Sequence, residues 1–468
     1  MSLSRAVLRP FVAGQFVEAS LQTVSHQLID PRTAKPSETL QEATAAHVDL
    51  AVQCSNQCDI WRTSQKRRRN LLHEYANKLE KHMQDIVHAE QIQTGKPDGD
   101  ALSDVQEAIE CFRHFAGYAD TLTGSAMDTE DRLMAHTVRE PKGVVGIITS
   151  FNYPVSLAAW KLAPALAAGN SVIVKPARQT PLTALLMADL ARGVFPESAI
   201  SVLPGGADVG ESIASHTGIA HVSFTGSTKV GQKVMQAAAT SNIKSVTLEC
   251  GGKNAAVVCK DANIDLVAES VVNGAFSNAG QNCCASSRLL IQRDIHQRVV
   301  DQILDRASKL QRDRDLGPLI DQAQYDRVLG YIERATETLS LGGKPWAANG
   351  YYVAPTVYTN VKDSSPLASE EIFGPVLAVL DPFDDPSEAV TRVNASPYGL
   401  ACGIFSQDMA MAQRMARNIQ TGVVWINTYN YLPMRVPFGG AKMSGIGKDL
   451  GREAMDEFTF IKSIMTPI

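Results

Sequence analysis

From residue 143 onward the chain repeats one arrangement, a short β-branched run ending in Gly, Pro or Ser and then an Ala- and Leu-rich stretch. The runs are "GVVGIITS", "NSVIVKPA", "SVLPGG", "HVSFTGS" and "VTLECGG", with "SLAAWKLAPALAAG" and "PLTALLMADLARGV" among the stretches between them. Strands that alternate with helices build a parallel sheet covered on both faces, because each parallel connection must cross over and its helix packs back on the sheet. A second series, "SRLLIQ", "PVLAVL", "LACGIFS" and "GVVWIN", follows residue 283. Two α/β units are the economical reading of a 468-residue chain whose length alone allows roughly three domains. Residues 41–118 read as helical, with one stretch closing at "TGKP". No short repeat or low-complexity segment interrupts this order.

Composition removes several function classes. The longest apolar runs, such as "GVVGIIT", are far shorter than the ~20 residues of a membrane helix. The N-terminal "MSLSRAVLRPF" reaches Arg5 and Arg9 before any sustained apolar stretch, so no secretory signal and a cytoplasmic location are expected. A net charge of −5, from 44 basic and 49 acidic residues, argues against a nucleic-acid partner. The local cluster "QKRRR" at 65–69 flanks a helical pattern and reads as a solvated helix start. The eight cysteines are scattered, and no His or Cys group completes a metal site around Cys54 and Cys58.

In doubly wound sheets, ligands sit at the carboxyl ends of strands, where backbone N–H groups opening the next helix can hold a phosphate. "HVSFTGSTKVGQKVMQAAA" has that order of strand, Gly226-Ser227-Thr228 turn and helix containing Gly231. It lacks the G-x-G-x-x-G fingerprint, and alone it could be any strand-turn-helix with a Ser cap. The adjacent thiols of "GQNCCASSR" are, taken alone, buried small hydrophobes.

Taken together, "TSFNYP" (149–154), "AWKLAPALAAGN" (159–170), "KPA" (175–177), "FTGST" (224–228), "LECGGKN" (248–254), "GQNCCASSR" (280–288), "EEIFGPV" (370–376), "VVWIN" (423–427) and "PFGGAKMSGIGKDLG" (437–451) resemble, in order, the motifs of the NAD(P)-dependent aldehyde dehydrogenase superfamily. The resemblance runs from about Phe11 to Lys462. It implies an NAD(P)-binding domain from 1–120 and 142–250, a catalytic domain from 251–436, and an oligomerisation element from 121–141 with the tail 437–468. A homodimer or homotetramer follows, with "RLMAHTVREP" as an exposed strand that a partner covers.

The resemblance also assigns chemistry, and each assignment has a plainer reading beside it. Aldehyde oxidation needs a nucleophile that forms a tetrahedral adduct and later leaves as thiolate. Cys283 occupies the nucleophile's place, while Cys284 keeps its reading as a core residue. Asn152, otherwise a turn residue before Tyr153-Pro154, matches the oxyanion donor, with the Cys283 N–H as second donor. Glu249, otherwise a solvated strand end, matches the base that activates water. Lys161 matches a lysine supporting proton movement, against the alternative of a helix-surface lysine. Lys175 would reach the adenosine ribose, Gly226, Ser227 and Gly231 the pyrophosphate segment, Glu371 the nicotinamide ribose and Phe373 the nicotinamide, with Phe151 also among the cofactor-binding residues.

Four departures carry meaning. Phe151 replaces the Trp usual before the Asn, "LEC" replaces "LEL", and the stretch 311–345 is short. Arg178 stands after "KPA" where many NAD-using relatives have Glu. An Arg there can pair with a 2′-phosphate, so NADP is expected to be accepted beside NAD, and even preferred. An Arg stacked on adenine or turned to solvent would be compatible with NAD. Glu249 favours a free acid as product over a coenzyme A ester. The substrate tunnel is expected at Tyr153, Leu157, Trp160, Tyr429, Tyr431 and Arg435. Arg435 would favour a neutral or anionic aldehyde such as a semialdehyde over betaine aldehyde, which an aromatic cage would suit. A catalytically silent NAD(P)-binding protein is the reading from another class.

Overall fold

The structure, a computed structural model, describes residues 8–17, 24–58, 64–129 and 133–467. Residues 1–7, on which the expectation of no secretory signal partly rests, lie outside the described residues, as do Trp61 and Arg132.

The first α/β unit is built on five parallel strands, β1 (Val144–Ile148), β2 (Ser171–Lys175), β3 (Ile200–Val202), β4 (His221–Thr225) and β5 (Ser245–Glu249). Their spatial order is β3-β2-β1-β4-β5, extended antiparallel by Phe11–Val12 beside β3 and by Gly445–Ile446 beside β5. The chain runs outward from β1 to β3 and then returns to lay β4 on the other side of β1. That reversal opens a crevice above the carboxyl ends of β1 and β4. Strand residues alternate between two cores, as a period of two requires. Val145 and Ile147 face one core, and Val144 and Ile148 the other.

The second unit carries β6 (Ala255–Val258), β7 (Arg288–Ile291), β8 (Thr356–Val361), β9 (Val376–Leu380), β10 (Ala401–Phe405) and β11 (Val423–Ile426). Their order is β8-β9-β7-β6-β10-β11, all parallel, with Thr338–Leu341 antiparallel outside β8. Ala256 and Val258 of β6 join the same core as Val145, so one apolar mass locks the two units together. A separate three-stranded sheet pairs Thr459–Pro467 along Leu133–Pro141, with Ala126–Asp128 on its far side.

The 41–118 region forms helices Ala45–Asn56, Gln65–Lys81, Met83–Thr94 and Asp98–Tyr118. Gly95, at φ 72°, ends the third, and Pro97 caps the fourth. Ser64 caps the "QKRRR" helix by accepting from the Arg67 N–H at 3.2 Å. Arg68 departs from the solvated reading: it is buried, and its Nε donates to the Ala167 carbonyl at 2.8 Å.

Candidate active site

The loops after β1, β4 and β5 meet segments of the second unit around a cavity of about 510 Å³. After β1, Pro154 opens a helix, Pro154–Ala168, at the position where its missing N–H costs nothing. Leu157, Trp160 and Lys161 follow at i, i+3 and i+4, so they share one face. Leu157 and Trp160 line the cavity with Phe151, Asn152 and Tyr153. Asn152 is 5% exposed and its Oδ1 has no hydrogen-bond partner among the described residues, while its backbone carbonyl accepts from Asn278 Nδ2 at 2.8 Å.

Cys283 lines the cavity at the end of a loop that local amides hold in place. Asn278 and Ala279 adopt φ 53° and Gly280 φ 70°, a left-handed run that turns the chain back sharply. A Cβ on Gly280 would lie 2.1 Å from the Gly374 carbonyl oxygen, so only glycine fits that turn. Asn254 Nδ2 donates to the Cys283 carbonyl at 2.8 Å and Asn282 Oδ1 accepts from the Cys284 N–H at 3.1 Å. Cys284 is 1% exposed and its thiol donates to Asn430 Oδ1 at 3.0 Å. Contact with the Cys284 side chain and then burial hold the Cys283 thiol well above the ordinary thiol range.

Glu249, at the end of β5, faces the same cavity, and both its carboxylate oxygens lack a hydrogen-bond partner among the described residues. Burial first, then the charge of Asp449, raises its carboxyl far above the usual range. A Cβ on Gly439 would come within 2.4 Å of Glu249 Oε1, so the space beside this carboxylate exists because residue 439 has no side chain. Lys161 is not a helix-surface lysine. It is fully buried, and its Nζ donates to Asp449 Oδ2 at 2.7 Å and Oδ1 at 3.0 Å, so Asp449, which itself lines the cavity, carries a buried cation behind it.

On the β4 side, Gly226 and Ser227 line the cavity and precede the helix Thr228–Ser241, whose first N–H groups face the crevice end. Thr225 Oγ1 is buried there without a hydrogen-bond partner among the described residues. Glu371 accepts from the Gly252 N–H at 3.0 Å, and Phe373, held at φ 61°, meets the Phe151 ring edge-on at 5.7 Å. Gln324 Nε2 donates to the Phe373 carbonyl at 2.7 Å and fixes that strained backbone. A helix N-terminus, an unpaired hydroxyl and a carboxylate along one wall fit a dinucleotide with its pyrophosphate and ribose.

Six sequence-predicted residues lie off this wall. Gly231 sits under its helix, where an added Cβ would be 2.8 Å from Cys250 Sγ; it brings the helix close to β5, and the small Cys250 of "LEC" fills the space below. Lys175 is the last residue of β2, and Arg178 follows it in the next loop. Arg178 is not free for a phosphate: its Nε and Nη2 donate to Glu42 at 2.5 and 3.0 Å. Lys161 stands behind the wall, paired to Asp449. Tyr429 is 9% exposed and its hydroxyl donates to the Cys284 carbonyl at 2.9 Å, so it braces the cysteine loop from behind. Arg435 is exposed and absent from the cavity lining, whereas Tyr431 does line it.

Sequence reasoning passed over three residues. Asp449 lay inside the quoted "GKDLG" but gains meaning only once Lys161 is found buried. Glu107, on the helix Asp98–Tyr118, lines the cavity and accepts from Trp160 Nε1 at 3.0 Å. Burial and then Asp104 push its carboxyl up to about 7. Glu42 pairs with Arg178. Neither Glu carried a signal in the chain, since each meets its partner across more than 50 residues.

A thiol, an amide and a buried carboxylate around one cavity, on twin doubly wound sheets, fit the oxidoreductase of the aldehyde group that the resemblance implies. The profile of the Aldehyde dehydrogenase family matches residues 16–464. The chain is 41% identical to Aldehyde dehydrogenase 1 of Tanacetum cinerariifolium, covering 98% of this chain and 95% of that one. It superposes on betaine aldehyde dehydrogenase of Staphylococcus aureus, solved with NAD+, at a TM-score of 0.95 and 33% identity over 98% of this chain and 95% of that one. Indole-3-acetaldehyde dehydrogenase of P. syringae, solved with NAD+ and IAA, gives a TM-score of 0.96 at 33% identity over 98% and 97%. The chain belongs to the aldehyde dehydrogenase family and is an aldehyde dehydrogenase. Among the described residues no helix is long and apolar enough to cross a membrane.

Proposed function

We propose that the protein oxidises neutral aldehydes with an apolar or aromatic body to free carboxylic acids, through a covalent thioester on Cys283. The observation that carries this reading is the meeting of Cys283, Asn152 and the Glu249 carboxylate, unpartnered among the described residues, on one cavity. Glu249 or a water beside it takes the Cys283 proton, and the sulfur bonds to the aldehyde carbon. The Asn152 amide and the Cys283 N–H donate to the oxygen as it gains charge, a term worth about 2.7–4 kcal/mol per donor. Bound NAD or NADP supplies the acceptor for the hydride that leaves this carbon. Once Glu249 has passed the thiol proton to solvent, its carboxylate removes a proton from the water that attacks the thioester. The C–S bond breaks, the leaving thiolate takes that proton back from Glu249, and the acid departs. The Lys161–Asp449 pair sets the field in which Glu249 exchanges its proton. Gly226, Ser227, Glu371, Phe373 and Phe151 would hold the dinucleotide, with Lys175 toward its adenosine end.

The anionic half of the substrate expectation loses its support, because Arg435 is off the lining. The substrate end of the cavity has Leu157, Trp160, Tyr153, Leu432 and Phe438, with two acids, Glu107 and the Lys161-paired Asp449, on its lining. Glu107 favours a second reading, in which an aldehyde bearing a cationic or hydrogen-bond-donating group is accepted once that carboxyl ionises above about pH 7. A panel of anionic, neutral and cationic aldehydes, followed by absorbance of the reduced cofactor, separates these readings. Highest kcat/KM for neutral members supports the first. Cationic preference that Glu107→Gln abolishes supports the second. Turnover of no member would leave a silent binding protein.

A further inference from the structure

The ion pair between Arg178 and Glu42 lies at the carboxyl end of β2, away from the reacting groups. Glu42 Oε1 accepts from Arg178 Nε at 2.5 Å and Oε2 from Nη2 at 3.0 Å, a two-pronged contact that uses the guanidinium fork. The carboxylate is 8% exposed, whereas the guanidinium side chain is 43% exposed, so the acid is the fixed member and the arginine the one facing outward. Its backbone is anchored on both sides: the Glu42 N–H donates to the Val24 carbonyl at 3.0 Å, and the Ala43 N–H to the Pro204 carbonyl at 2.7 Å.

The charges around this point balance. Lys175 ends β2, and the helix Ala207–Ser215 carries Asp208 in its first turn. Both Glu42 and Asp208 act on Lys175 and on Arg178. Two cations therefore meet two carboxylates, with His26 close enough to feel Arg178 and Glu42. Lys175 lies along the start of that helix, where a Cβ on Gly210 would touch its Cδ at 3.5 Å.

We propose that Glu42 sets the cofactor preference to NAD, by occupying Arg178 and by presenting a fixed carboxylate where a 2′-phosphate would have to enter. This rests on the reading that Lys175 marks the adenosine ribose. A ribose 2′-hydroxyl can donate to a carboxylate, so NAD meets Glu42 without breaking the pair. A 2′-phosphate brings up to two negative charges and only acceptor oxygens. It would gain Arg178 only after displacing Glu42, which then remains beside it as a buried like charge. The Arg that suggests NADP in the sequence is thus held by an acid 136 residues away.

The test uses the whole protein and two readouts. Calorimetric binding of 5′-AMP and of 2′,5′-ADP reports the adenosine end without catalysis, and kcat/KM for NAD and NADP reports it in turnover. Wild type is expected to favour 5′-AMP and NAD. Glu42→Gln should shift both ratios toward the 2′-phosphorylated ligand by about tenfold or more. Arg178→Gln in the Glu42→Gln background should cancel that gain, which a merely structural role of Glu42 would not do. Unchanged ratios in Glu42→Gln, with thermal unfolding like wild type, overturn the proposal while leaving the cofactor reading intact. If neither nucleotide binds wild type, the adenosine reading and the proposal fall together.

Discussion

At the residue scale the account depends on which of two neighbouring thiols reacts. Cys283 faces the cavity, while Cys284 is buried and bonded to Asn430. Cys283→Ala should abolish turnover and leave cofactor binding intact, and Cys284→Ala should keep most activity; the opposite pattern would mean the register is wrong. The Cys283 thiol is raised, so the reactive thiolate is the minor form at neutral pH. Its fraction grows with pH, and kcat/KM should climb between about pH 6 and 9. A flat profile over that range would mean a preformed thiolate. Lys161 and Asp449 form a pair with 0% and 4% side-chain exposure. Lys161→Met strands the Asp449 charge and should cost about 3–5 kcal/mol in urea unfolding. The double change Lys161→Met with Asp449→Leu should recover much of that, and equal losses would show that the charges do not act as a pair.

At the element scale the strands were the most legible part. Buried parallel strands must be apolar on both faces, so "VVGII" and "SVIVK" announce themselves. The turn glycines and the Pro154 helix start were equally readable. The charge partners were not, because the chain does not state which helix face will meet a distant wall. Glu107 sits on a helix whose pattern predicts only helix, and Lys161 on one whose every residue is buried. Arg178 shows the same limit from the other side: its position was read, and its partner was not. Tyr429 and Tyr431 stand on either side of Asn430, whose left-handed φ of 58° turns the chain between them, and only Tyr431 reaches the cavity lining. The cysteine loop gives this scale its prediction. Gly280→Ala would force a Cβ against the Gly374 carbonyl and should lower kcat by tenfold or more, with nucleotide binding retained; wild-type kcat would show that the loop tolerates displacement.

At the scale of the whole molecule, the small sheet exposes an edge. Among the described residues Thr459–Pro467 pairs only with Leu133–Pro141, and Phe460, Ile461, Ile464 and Met465 are exposed along it. Such an edge pairs with another chain unless it is covered. Light scattering should therefore give a dimer or tetramer mass, and a value near the 50.5 kDa of one chain would contradict this. The central claim is that the molecule works through a thioester on Cys283 that Glu249 resolves. Rapid mixing of Glu249→Gln with cofactor and a turned-over aldehyde tests it most directly. The account predicts a burst of reduced cofactor stoichiometric with active sites, then a stall, with the acyl group found by mass spectrometry on Cys283. Steady turnover at the wild-type rate, with no acyl-enzyme, would contradict it.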